Sequence, residues 1–323
     1  MQRTACDETR HSPVKEFLIA TCQRRPPARD AVAAFSSAAR SLHFRGGVNS
    51  NNQASMSASA PVRVPAITAL FWIVKILTTG AGETTSDFLG HTFSPVLVAA
   101  AGVIILCASL VIQLRMHRYF AWSYWFAVSM VAIFGTMFAD VAHAAGLEYL
   151  GSTIVFAVIL AIVFALWYRS ERTLSIHSIT TRRRELFYWA TVIVTFALGT
   201  AAGDMTATTF GWGYLASGIA FLIAIIVVGV AYYAVNAMLA PGHRHRSTAE
   251  VLTFWLAYIL TRPLGASFAD WMSMPRERGG LAWGDGLVSI VLFVVIAGFV
   301  AYLATTRRDV QRAPELTAVP ASS

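Results

Sequence analysis

Phe71-Trp72-Ile73-Val74-Lys75-Ile76-Leu77-Thr78-Thr79-Gly80-Ala81-Gly82-Glu83-Thr84-Thr85-Ser86-Asp87 is the stretch whose reading decides the fold. It holds an aromatic–Trp pair, a Gly ten residues after the Trp, and an Asp five residues later. The same spacing returns as Tyr124-Trp125, Gly135, Asp140; Tyr188-Trp189, Gly199, Asp204; and Phe254-Trp255, Gly265, Asp270. The chain has eight Asp, and half of them stand in this register. Each lies in a hydrophobic segment, where a carboxylate is costly to place. A costly residue repeated at fixed spacing marks either a shared site or a shared structural device.

The surrounding composition says what solvent these segments meet. The 323 residues are 56% hydrophobic and only 13% charged, against roughly 25% charged in soluble domains. Charges cluster between apolar runs of about 20 residues, the length that crosses a bilayer core. The chain therefore reads as a polytopic membrane protein, and its net charge of +8 points to basic loops at a membrane rather than to nucleic acid. Cys6, Cys22 and Cys107 have no metal or redox spacing, and no disulfide framework follows.

Eight apolar segments follow residue 60, at about 66–88, 93–114, 120–142, 149–168, 186–206, 213–238, 251–272 and 284–304. A chain in lipid must satisfy its own backbone, and runs of this length are too long for barrel strands, so all eight are expected to be helices. The expected fold class is all-α, with eight transmembrane helices arranged as four parallel helical-hairpin repeats. Connections after segments 2, 4 and 6 carry Arg115 and Arg118; Arg169, Arg172 and Arg182-Arg183-Arg184; and Arg244 and Arg246, and Arg307, Arg308 and Arg312 follow segment 8. Connections after segments 1, 3 and 5 carry no Lys or Arg, and the exception after segment 7 pairs Arg276 and Arg278 with Glu277. This asymmetry places both termini in the cytoplasm. The expected domains are a disordered tail over 1–62, a membrane domain over 63–308 and a disordered tail over 309–323. The four repeats fall at about 66–118, 119–179, 180–248 and 249–308. A start at Met56 is the alternative account of the N-terminal segment.

Lys75 to Asp87 resembles the signature of the bacterial membrane proteins built from a repeat of unknown function, domain of unknown function 347. The resemblance spans about residues 66–305. It implies a multi-spanning protein of a bacterial inner membrane and brings no activity, so function has to be argued from the residues.

The odd segments carry the Trp–Gly–Asp pattern, whereas the even segments carry no charged side chain within their spans apart from Asp285 at the start of the last one. Odd helices are expected to line an interior and even helices to face lipid. Trp72, Trp125, Trp189 and Trp255 read as interface anchors, with ligand contact as the alternative. Gly82, Gly135, Gly199 and Gly265 read as close-packing positions, with local unwinding around an ion as the alternative. For the Asp residues, a helix-end role sits poorly with a dipole that is already negative at the C-terminus.

In the first copy Lys75, Thr79, Glu83 and Asp87 recur every four residues and form one stripe. Arg262-Pro263 breaks the pattern of the fourth copy. The expected ion-binding set is Glu83, Asp87, Asp140, Asp204, Asp270, Thr79, Lys75 and Arg262, with five negative charges against two positive. That excess fits a small cation, or protons held on the carboxyls. His91 and His143, one turn beyond Asp87 and Asp140, are the metal-ligand candidates. No catalytic constellation or cofactor motif is present, and a non-enzymatic role is expected, with lipid as the surrounding partner. The leading reading is a transporter or channel-like protein for a small cation or a proton-coupled solute. The alternative is a membrane sensor or assembly protein whose Asp residues are structural.

Overall fold

The computed structural model describes residues 62–238 and 244–311, and the N-terminal segment with its alternative start lies outside them. The described residues form eight long helices: α1 Ala69–Thr92, α2 Pro95–Arg115, α3 Ala121–Ala144, α4 Tyr149–Glu171, α5 Arg182–Asp204, α6 Gly213–Met238, α7 Arg244–Ser273 and α8 Asp285–Thr306. Each covers one of the eight apolar segments. Seven are long and apolar enough to cross a membrane. The eighth, α1, is the one loaded with Lys75, Glu83 and Asp87, and at 24 residues it extends about 36 Å, enough to span.

The odd helices bury themselves and the even helices do not. In α3, α5 and α7, 56–67% of the apolar window is buried, against 11–28% in α2, α4, α6 and α8. Both outcomes follow from patterning. The even helices are apolar all round and so have no face that must be hidden from lipid, whereas the odd helices carry polar side chains that need partners.

The odd helices pack in a closed cycle, α1 on α3, α3 on α5, α5 on α7 and α7 on α1. The glycine of each repeat makes this possible. A Cβ on Gly82 would collide with Ala132, one on Gly135 with Phe196, one on Gly199 with Arg262 and Pro263, and one on Gly265 with Thr79 and the Ile76 carbonyl. In every case the glycine of one repeat meets the residue three before the glycine of the next, and the fourth repeat closes on the first. Close backbone approach is the use of small residues expected between membrane helices.

The aromatic end repeats the cycle. Phe71 packs on Trp125 at 5.7 Å between ring centroids, Tyr124 on Trp189 at 5.7 Å, Tyr188 on Trp255 at 6.2 Å and Phe254 on Trp72 at 5.7 Å. Trp125, Trp189 and Trp255 are buried. These indoles therefore hold neighbouring repeats together inside the bundle rather than anchoring it at the headgroups, because a partner ring from the preceding repeat covers each one.

The even helices show the same offset. Most of the packing of α2 is on α3, of α4 on α5, of α6 on α7 and of α8 on α1. Each hairpin is thus a hairpin in connectivity, while its outer helix rests on the inner helix of the following repeat.

The aromatic end is further tied by segments outside the helices. Ala66 N–H donates to the Asp309 carbonyl at 2.7 Å, Gln311 Nε2 to the Pro65 carbonyl at 3.0 Å and Arg63 N–H to the Ile179 carbonyl at 3.1 Å. Residues 309–311, expected to start the C-terminal tail, are part of the folded domain because this strapping gives their backbone partners. The rest of that tail lies outside the described residues.

Candidate functional site

Stepping four residues at a time from the position before each Trp gives five layers along the odd helices. The first is Phe71, Tyr124, Tyr188 and Phe254; the second is Lys75, Val128, Val192 and Tyr258; the third is Thr79, Ala132, Phe196 and Arg262; the fourth is Glu83, Thr136, Thr200 and Ala266; the fifth is Asp87, Asp140, Asp204 and Asp270. Every side chain of the first four layers is at most 8% exposed. A step of four drifts by only about 40° on an ideal helix, so each helix keeps one stripe turned to the interior. The fifth layer is the open one: Asp270 is buried, Asp87 and Asp204 are partly exposed, and Asp140 is exposed. The interior is therefore sealed by rings at the Trp end and reachable at the Asp end.

Arg262 occupies the centre. Its Nη1 donates to the Thr79 carbonyl at 2.9 Å, and its Nη2 donates to Glu83 Oε2 at 2.5 Å, to Thr200 Oγ1 at 2.7 Å and to Thr136 Oγ1. Thr136 Oγ1 also donates to Glu83 Oε2 at 3.0 Å. Glu83, Thr136 and Thr200 each follow the glycine of their repeat, so one guanidinium gathers the same position from three copies. Pro263 leaves α7 continuous from Arg244 to Ser273, and its ring packs beside Gly199.

Three carboxylates meet above this cation. One oxygen each of Glu83, Asp204 and Asp270 lie within 4.8 Å of one another. Asp270 Oδ1 is buried and has no hydrogen-bond partner among the described residues. Asp204 ends the α-helical part of α5, and the chain continues through a π turn, Met205–Thr209, a widening often found where a side chain is re-aimed. Asp87 and Asp140 stand in the same field rather than in the same cluster. Asp87 lies within Coulombic range of Glu83, Asp140, Asp204 and Asp285, and Asp140 Oδ2 accepts from Ser86 Oγ at 3.3 Å. At roughly 5 Å and an effective dielectric of about 20, each like-charge pair costs about 3 kcal/mol. Three carboxylates and one Arg262 leave two negative charges, which a cation or shared protons would offset.

Lys75 lies deeper. Its ammonium nitrogen is 3.9 Å from the centre of the Phe196 ring and 4.3 Å from that of Tyr258, with no hydrogen-bond partner among the described residues. The Arg262 guanidinium lies 5.3 Å from the same Phe196 ring. Thr79 spaces the two levels, with Oγ1 donating to the Ile76 and Thr261 carbonyls at 2.6 and 3.1 Å.

The two histidines do not join the cluster. His91 Nδ1 lies 3.6 Å from Asp285 Oδ2 at the start of α8. His143 Nδ1 lies 3.0 Å from the Leu147 carbonyl, and its ring stacks on Tyr149 at 3.9 Å. Both stand in the last turns of α1 and α3, beyond the Asp layer.

Three features had no signal in the sequence. Thr136 and Thr200 look like any small residues beside a glycine. Glu185, within the basic run at the start of α5, is buried and pairs with Arg63 at 2.7 Å, with Gln113 Nε2 donating to it at 3.3 Å. Tyr119 donates its hydroxyl to Asp309 Oδ2. These last two groups lie beyond the spans, and burial pushes both the Asp309 carboxyl and the Tyr119 hydroxyl above their ordinary values. An apolar cavity of about 570 Å³ also opens between α1, α6 and α7, lined by Trp72, Ile76, Ile225, Tyr232, Phe254 and Thr261; it does not reach the carboxylates.

A family model described as Repeat of Unknown Function (DUF347) matches the chain four times, at residues 70–119, 123–173, 187–237 and 253–309. No curated protein and no solved structure matches it.

Proposed function

Because the chain belongs to the family built from the repeat of unknown function DUF347, whose description states no activity, we propose a function from its interior: a transporter for a small, oxygen-preferring cation. The observation that carries this reading is the meeting of Glu83, Asp204 and Asp270 oxygens within 4.8 Å inside a membrane bundle, with Arg262 as the cation bonded to Glu83. Intramembrane carboxylates that face an interior mark ion pathways. All-oxygen ligands suit hard ions such as Mg²⁺ and Mn²⁺, and the residual charge of two favours a divalent one. Asp87 and Asp140, which stand outside the cluster, attract the ion and pass it inward, as charged rings do at channel mouths. The Arg-rich connections lie at the Trp end, so that end faces the cytoplasm of a bacterial inner membrane and the acidic mouth faces out.

A second reading has its own support. Arg262 binds groups from α1, α3 and α5, which is also what a device for fixing helix register would do. Purified protein in vesicles separates the two. Transport predicts saturable Mn²⁺ uptake that Asp204→Asn and Asp270→Asn reduce while the protein stays folded. A structural role predicts no uptake above empty vesicles and loss of folded yield in the same variants.

A further inference from the structure

We propose that Lys75 is a proton-carrying group whose charge competes with the cation bound by Glu83, Asp204 and Asp270, so that cation loading expels a proton. The inference rests on the transport reading above and adds its coupling.

The sequence shows a choice at this position. Of 25 basic residues only two are lysines, Lys15 and Lys75, so Lys75 is the one lysine of the membrane domain. Everywhere else in that domain the chain uses arginine, including the interior position Arg262. Arginine keeps its charge, whereas a lysine amine can exist without it. The placement suits both states. As an ammonium, Lys75 rests on the faces of Phe196 and Tyr258 at 3.9 and 4.3 Å, a contact that attracts a cation. As a neutral amine it leaves no ion pair broken, because its nitrogen has no hydrogen-bond partner among the described residues.

The surrounding groups provide the link to the acids. Arg262 of α7 is the charge acting on Lys75, and Phe196 of α5 contacts both cations. Tyr258 of α7 lies against the amine, with Tyr188 of α5 and Tyr124 of α3 around Tyr258. On its own helix, Glu83 stands two turns away and already engages Arg262. A divalent ion among the three carboxylates cancels the two negative charges that they and Arg262 leave. Lys75 then loses the negative field that favours its ammonium form, while the charge of Arg262 still acts on it. The N–H bond breaks with its electron pair left on nitrogen, and the proton passes to water. The exchange is one proton from Lys75 for each ion bound.

The test uses the full chain in detergent with Mg²⁺ as the probe. Calorimetry in two buffers of different ionisation heat counts protons released on binding. The wild type is expected to release about one proton per Mg²⁺, with a dissociation constant that tightens about tenfold per pH unit over the range where Lys75 titrates. Lys75→Met is expected to release none and to bind with a pH-flat constant. Lys75→Arg, permanently charged, is expected to bind about tenfold more weakly, also without release. The wild type alone provides a second readout that needs no folded variant. ¹⁵N-lysine labelling gives two side-chain signals, and Mg²⁺ should move that of Lys75 from the ammonium to the amine position. Undiminished proton release from Lys75→Met, or an ammonium signal that Mg²⁺ leaves in place, overturns the inference while leaving cation transport standing. No Mg²⁺ or Mn²⁺ binding by the wild type overturns both.

Discussion

Arg262 and Glu83, from the last and first repeats of the chain, form a buried ion pair with Nη2 and Oε2 2.5 Å apart. The contact joins α7 to α1 and so closes the ring of odd helices at its centre. Both side chains are out of solvent, and removing one leaves the other charged and unpaired. Glu83→Gln or Arg262→Met is expected to cost about 3–5 kcal/mol of stability. The double variant should recover part of that loss, because no buried charge then lacks its partner. Thermal unfolding in detergent, analysed as a double-mutant cycle, gives the coupling directly.

The glycine contacts predict a different pattern. Gly82, Gly135, Gly199 and Gly265 each face a neighbour that an added Cβ would strike, whereas Gly229 and Gly298 have nothing within 4 Å. Alanine at any of the first four is expected to destabilise by about 1–3 kcal/mol through overpacking. At Gly229 or Gly298 it should be neutral or stabilising by up to about 1 kcal/mol. Unfolding midpoints of the six single variants check this, and equal effects at all six would remove the glycine ring from the account.

The pH response of the aromatic end follows from Asp309. Burial raises its carboxyl above the ordinary value, and the hydrogen bond from Tyr119 offsets this in part. A raised acid binds its proton more tightly in the fold, so its contribution is full below the ordinary value of about 3.9. That contribution is lost as pH rises through the folded value. Stability should therefore decline over this window in the wild type and decline less in Asp309→Asn. A matching decline in the variant would assign the effect to another group.

Much of this architecture was legible in the chain itself. The eight spans followed from apolar length, the four repeats from the Trp–Gly–Asp register, and the inward stripe of α1 from Lys75, Thr79, Glu83 and Asp87 at steps of four. The same stripe in the other repeats was hidden because it is written in Val128, Ala132, Phe196 and Thr200, residues that membrane helices use everywhere. The Trp residues suggested anchors because a single chain position does not reveal the ring that covers it, and the covering ring comes from the preceding repeat. The offset packing of each even helix has no local signal, since helices that are apolar all round carry no preferred face. Arg262 was visible as a buried charge, but its partners Thr136 and Thr200 could be named only after the ring had been closed.

The central claim is that Glu83, Asp204 and Asp270 form one cation site. Electron paramagnetic resonance of Mn²⁺ titrated into the purified full chain tests it most directly, because free and bound ion are counted separately. One saturable site is predicted in the wild type, weakened at least about tenfold in Asp270→Asn and in Asp204→Asn, with Asp309→Asn unchanged. No bound Mn²⁺ in the wild type, or a site that survives both substitutions with its affinity intact, would contradict it.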